Sequence, residues 1–154
     1  VSKQTLIAEI TSAVVRFQNA TERVDAAAAA ALGINRTDLA CIGLLAISGG
    51  MTAGRLATEA GLSPAATTTV IERLEAAGYA VRSKDGADRR RVVVTTTPLA
   101  EERIEQVYGP VLPAGTALLS RYTRAELETI QRFLTQGEEL QDRQAERIRS
   151  QRTV

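Results

Sequence analysis

Residues 52–97 change their repeat in mid-course, and few folds accommodate such a change. Up to Gly78 the apolar residues recur at helical spacing, and beyond it they give way to two short runs rich in β-branched residues. The helical part is divided by Gly61-Leu62-Ser63-Pro64, where Ser63 suits an N-cap and Pro64 the first helical position. The spacing predicts two short helices joined by a tight turn. Leu56, Ala57, Ala60 and Leu62 are expected to face the core on one side, and Val70, Ile71 and Leu74 on the other, with Gly78 as the C-terminal signal. Residues 79–83 and 91–97 then read as the strands of a hairpin around a polar turn, Asp85-Gly86-Ala87-Asp88.

The flanks are helical. Leu6, Ile10, Val14 and Phe17 form one stripe of a long first helix, which the alanine tract at 26–31 extends to a stop near Gly33. A second helix is expected after Asn35, with Thr37 or Asp38 near its cap; Leu39, Ile42, Leu44, Leu45 and Ile47 make it a buried one, ending at Gly49-Gly50. Cys41 falls inside it as a small core thiol. Pro98 opens a further helix bearing Leu99, Ile104, Val107 and Tyr108, which Gly109-Pro110 and Pro113 should kink or split. Thr123 and Glu126 form a capping box before a long amphipathic helix carrying Leu127, Ile130, Phe133, Leu134, Leu140 and Ile148. The expected fold is mainly α with a small β-hairpin wing. Residues 36–97 are expected to form a winged helix-turn-helix lobe within a single domain over 1–154, and the apolar stripes of the helical regions 1–33 and 98–154, too extensive for that lobe to cover, point to a dimerisation region.

Composition removes most catalytic chemistry. The chain has no histidine and one cysteine, so disulfide frameworks, zinc ribbons and histidine-based triads are unavailable within it. No enzyme activity, cofactor or metal is expected. No run of about 18 apolar residues and no export signal is present, which reads as a cytoplasmic protein without a membrane partner. The net charge is only +1, yet the hairpin turn region sets Arg82, Lys84, Arg89, Arg90 and Arg91 against Asp85 and Asp88, a local excess of +3. Aromatic residues are 3% of the chain, poor material for stacking single-stranded bases, so duplex DNA is the better target.

A helix following a tight turn can enter a major groove about 12 Å wide. Its expected outward positions, Ser63, Ala65, Ala66, Thr67, Thr68, Thr69 and Glu72, are mostly small or hydroxylated, so close approach with hydroxyls donating to phosphates and methyls touching thymine is expected. Arg89 and Arg90 at a hairpin tip suit a narrow minor groove. A winged helix used as a protein-interaction module is the alternative.

The run Leu56-Ala57 through Gly61-Leu62-Ser63, then Val70-Ile71-Glu72-Arg73-Leu74-Glu75-Ala76-Ala77-Gly78-Tyr79-Ala80-Val81-Arg82, then Asp88-Arg89-Arg90 before Val92-Val93-Val94, resembles the winged-helix signature of the MarR family. The flanking layout extends the likeness over the chain. The resemblance implies a homodimeric transcriptional regulator, most members being repressors, that binds a pseudo-palindromic operator in double-stranded DNA. Many members are released by a small phenolic or other apolar effector. It further implies that Ser63 and Thr68 touch phosphates and that Arg90 enters the minor groove with Asp88 bracing it, beside the outward positions Ala65, Thr67 and Thr69 read above from the helix itself. Arg73 matches an arginine that binds phosphate or pairs with a wing carboxylate. Thr69 stands where a basic residue is common, and Ala65 and Ala66 where Ser or Thr is common, so base preference does not transfer.

Overall fold

The computed structural model describes residues 1–84, 86 and 91–151. In chain order the described elements are α1 (Lys3–Leu32), α2 (Arg36–Ser48), α3 (Ala53–Ala60), α4 (Pro64–Ala76), β1 (Ala80–Lys84), β2 (Val92–Thr96), α5 (Pro98–Tyr108), α6 (Val111–Leu119) and α7 (Arg124–Ser150). The fold is therefore mostly helical with one two-stranded antiparallel hairpin. The chain separates into two compact units, Val1–Gly109 and Pro110–Val154.

Local chemistry explains most of the boundaries in the first unit. Ser63 caps α4 by accepting the Ala66 N–H at 3.2 Å, with Pro64 at the first helical position, and Thr52 caps α3 by accepting the Arg55 N–H at 3.3 Å. Gly61 ends α3 with a φ of 65°, the left-handed conformation that lets a chain turn within two residues into the next cap. The cap of α2 is Asn35, whose Oδ1 accepts the Asp38 N–H at 2.9 Å, rather than Thr37 or Asp38. Asp38 is diverted because its carboxylate points into the protein, where it is 2% exposed.

One core holds these elements together. Leu39, Ile42 and Leu45 of α2, Leu56 of α3, Val70, Ile71 and Leu74 of α4, and Val94 of β2 are buried in a single cluster with Ala28, Ala29 and Leu32 of α1. Apolar burial at roughly 25 cal/mol per Å² is the main stabilising term for such a cluster. Ile47 departs from its expected place: it is 90% exposed, because two residues beyond Leu45 a helix has turned nearly half way round. Leu44 is only half-buried.

The hairpin pairs Ala80 with Thr96, Arg82 with Val94 and Lys84 with Val92. It is fixed to the body at two places. Met51 and Val94 exchange backbone hydrogen bonds of 3.0 and 2.8 Å, adding a one-residue third strand, and Thr97 N–H donates to the Tyr79 carbonyl at 3.1 Å. The Tyr79 hydroxyl, buried, donates to the Leu32 carbonyl at 2.9 Å and so ties the end of α1 to the segment after α4. α5 starts at a Thr97 cap and ends at Tyr108, so the Gly109-Pro110 interruption splits the helical stretch as expected.

In the second unit, Thr123 and Glu126 form the expected capping box at the start of α7. The Thr123 backbone N–H and hydroxyl both donate to the Glu126 carboxylate at 2.7 Å, which lowers that carboxyl below its usual range. Leu112, Leu118 and Leu119 of α6, and Phe133, Leu134, Leu140 and Ile148 of α7, are exposed. Among the described residues no single helix is long and apolar enough to cross a membrane.

Candidate nucleic-acid interface

Two opposed faces define α4. Thr67, Val70, Ile71 and Leu74, spaced i, i+3, i+4 and i+7, are all buried, while Ala65, Thr68, Thr69 and Glu72, with the same spacing, are all exposed. A helix held by its complete inner stripe presents its outer stripe rigidly. Ala66 and Ser63 are exposed beside that stripe. Thr67 corrects the expectation that it faces outward. At 1% exposure it belongs to the inner stripe with Val70 and Ile71, and its hydroxyl donates to the Ser63 carbonyl at 2.9 Å, which satisfies the buried polar atom.

Hydroxyl protons on the outer stripe are also committed. Thr68 Oγ1 donates to the Pro64 carbonyl at 3.1 Å and Thr69 Oγ1 to the Ala65 carbonyl at 3.2 Å. Such bonding to the carbonyl four residues back leaves each threonine offering lone pairs and a methyl group rather than a donor. Ser63 differs, since its Oγ accepts from Ala66 and keeps its own proton for another acceptor.

Among the described residues Arg73 pairs with a carboxylate of the helical body. Its guanidinium grips Asp38 of α2, with Nε donating to Oδ2 at 3.0 Å and Nη2 to Oδ1 at 2.5 Å. The Asp38 side chain is 3% exposed and that of Arg73 44%, so the pair runs from the interior to the surface and pins α4 to α2. Hydrogen bonding to Asp38 raises the Arg73 pKa, and the guanidinium stays charged. Asp38 escaped the sequence reading as a site residue. Its signal was there: it falls on the stripe of Ile42 and Leu45, at i, i+4 and i+7, where a carboxylate needs a cation.

Cys41, fully buried, lies one turn beyond Asp38 in α2. Burial, with the Asp38 charge adding to it, pushes its thiol up from the usual value. A protonated thiol inside a packed core is chemically inert.

On the wing, Arg82 pairs with Glu75 of α4, so one of its cations is already answered by the body. Asp88, Arg89 and Arg90, the residues assigned to the wing tip, lie outside the described residues.

The first unit also holds a cavity of about 590 Å³ bounded by α1, α2 and α5. Leu39, Ile47 and Ile104 contribute apolar wall, and Asp25, Arg36 and Tyr108 polar groups. The Tyr108 hydroxyl lies 3.2 Å from Asp25 Oδ1. Burial first, and the neighbouring carboxylate second, push the Tyr108 phenol above its ordinary value, so it remains a donor.

A short helix, a left-handed turn, a second helix with one whole face open, and an antiparallel hairpin hydrogen-bonded behind them define a winged helix-turn-helix of the DNA-binding kind. The chain belongs to the MarR family, whose profile matches residues 32–91. It is 38% identical over 123 residues to the uncharacterized HTH-type transcriptional regulator YcgE of Bacillus subtilis, covering 80% of each chain. It is 28% identical over 108 residues to the HTH-type transcriptional repressor Rv2887 of Mycobacterium tuberculosis, covering 70% of this chain and 78% of that one. Among solved structures it resembles NadR in complex with 4-hydroxyphenylacetate, with a TM-score of 0.62 and 24% identity, covering 82% of this chain and 90% of NadR. The protein is a DNA-binding transcriptional regulator. These relatives do not favour the protein-interaction alternative.

Proposed function

We propose that the protein is a cytoplasmic homodimeric repressor that binds a pseudo-palindromic operator in duplex DNA and is released by a small aromatic carboxylate. The observation that carries the reading is the rigid outer stripe of α4, exposed along its length while its inner stripe is buried. In this reading residues 36–97 contact DNA, with Ser63 and the wing arginines Arg89 and Arg90 touching the backbone or the minor groove and Thr68 turning its methyl group to the bases. Asp88 supports the wing.

Residues 1–33 and 98–154 pair two copies. Leu6 at 51%, Phe17 at 70%, Leu112 at 77% and Leu134 at 58% exposure are apolar side chains that a second copy would cover. The two winged helices then face half-sites about 34 Å apart.

The cavity beside α2 supports the effector. Its volume lies in the range usual for small-molecule sites, the Arg36 guanidinium can pair a carboxylate, and the Tyr108 hydroxyl oxygen, its proton directed at Asp25, can accept from a phenol. NadR was solved with an aromatic ligand of that chemistry. α2 lines the cavity and also carries Asp38, which holds Arg73 of α4. An effector with different affinity for two placements of α2 would shift α4 by at most that difference in free energy.

The test is a fluorescence anisotropy titration of the upstream intergenic duplex against a scrambled duplex at several salt concentrations, with and without an aromatic carboxylate. The expected result is a preference of about a thousandfold or more for the native site. Replacing Arg89 and Arg90 with Ala should weaken binding to all duplexes and lower the salt slope by about one unit per lost phosphate contact. Unchanged affinity of that double variant removes the wing from the interface. No change on adding the carboxylate removes that class of effector.

A further inference from the structure

We infer that the outer stripe of α4 reads bases by acceptors and methyl groups, with the Ser63 hydroxyl left to a phosphate, so that each half-site is A·T-rich where the stripe faces it and presents an amino group to Glu72. The inference rests on the operator-binding reading above. Its ground is the chemistry left on the outer stripe. Ala65 offers only a methyl, and Thr68 and Thr69 have given their hydroxyl protons to Pro64 and Ala65. Glu72 is the one long side chain of the stripe, exposed, with no hydrogen bond or ion pair among the described residues.

Guanine is read in the major groove by a donor fork from Arg or Lys on its O6 and N7. The only cation in α4 is Arg73, which lies beside the outer stripe and is held by the buried Asp38. The outer stripe therefore brings no donor fork to a guanine edge, and the Glu72 carboxylate repels O6 and N7. What the stripe can engage is the thymine C5 methyl, through Ala65 and the threonine methyls, and an amino group of cytosine N4 or adenine N6, through Glu72. The complete inner stripe keeps α4 from rotating to offer another face.

The experiment selects duplexes from a random library with the full-length chain at fixed salt, then measures single changes in the winning site by anisotropy. At positions facing α4, replacing thymine by deoxyuridine, which removes only the major-groove methyl, should weaken binding by about threefold per contacted base. Glu72→Arg should move the preference at one position of each half-site to guanine, by about tenfold. Glu72→Gln should move it to adenine, whose N6 and N7 an amide reads together. Both variants alter an exposed side chain with no bond to lose, and retained helical content is the control.

A winning site with guanines, other than the partner of a cytosine read by Glu72, whose loss weakens the unaltered protein tenfold, together with no response to deoxyuridine, would overturn the inference while leaving the regulator reading intact. So would a Glu72→Arg variant that gains the same factor on every sequence, since Glu72 would then only repel phosphate. Equal binding to all duplexes by the unaltered protein would overturn the operator-binding reading and this inference with it.

Discussion

Leu74→Ala is expected to cost about 3 to 5 kcal/mol, the range measured when a fully buried leucine is truncated and the cavity cannot collapse. Leu74 is 0% exposed and closes the inner stripe of α4 within the buried cluster that also holds Leu45 of α2 and Leu56 of α3. Each of those neighbours belongs to a different turn or helix, so none can move inward without unpacking another. A domain of this size is stable by only about 5 to 15 kcal/mol. The midpoint of thermal unfolding should therefore fall by roughly 10 °C, read by circular dichroism at one fixed protein concentration. Leu74→Met, which conserves volume, should lose less than about 1.5 kcal/mol. Below the melting transition the Ala variant keeps its outer stripe, so operator affinity should follow the folded fraction. A loss under about 1 kcal/mol would mean that α4 is not held by its inner stripe.

Gly50→Ala is expected to be destabilising by about 2 to 4 kcal/mol, although it adds one methyl group. Gly50 has a φ of 120°, which side chains rarely adopt, and a Cβ there would stand 2.5 Å from Thr95 Cγ2 and 3.1 Å from the Val94 carbonyl oxygen. That carbonyl accepts the Met51 N–H that fastens the hairpin, so the methyl meets backbone that has nowhere to retreat. Gly54→Ala reverses the sign. Gly54 lies in the first turn of α3 with nothing within 4 Å of its would-be Cβ, and alanine there should stabilise by up to about 1 kcal/mol. Chemical denaturation of the two variants side by side tests the contrast. Equal effects from both would remove the close approach of Gly50 to β2 as the cause. Because Gly50 sits at the root of the wing, its variant should also lose operator affinity beyond what its folded fraction accounts for.

Much of the site was legible because it rests on local rules. Ser63 and Pro64 at the start of α4, the turn at Gly61, the hairpin after Gly78 and the Thr123 capping box each depend on residues within one or two turns of the chain, and each appears where its chemistry placed it. Thr67 failed because a polar side chain was assumed to face water, whereas its spacing to Val70 and Ile71 put it inside and its own helix supplied its acceptor. Ile47 failed in the opposite sense, since an apolar residue in an apolar helix was assumed to be buried.

Sequence by itself determined the order and kind of the elements, the buried stripe of Val70, Ile71 and Leu74 in α4 and the absence of histidine chemistry, because periodicity, caps and composition act within short stretches of chain. Only the tertiary structure decided that Arg73 is held by Asp38, 35 residues away, that Met51 lends a third strand to the hairpin, and that Tyr79 reaches the Leu32 carbonyl. These are pairings between residues distant in sequence, and nothing in a one-dimensional pattern states which carboxylate, carbonyl or strand edge the packed core will bring within hydrogen-bond reach.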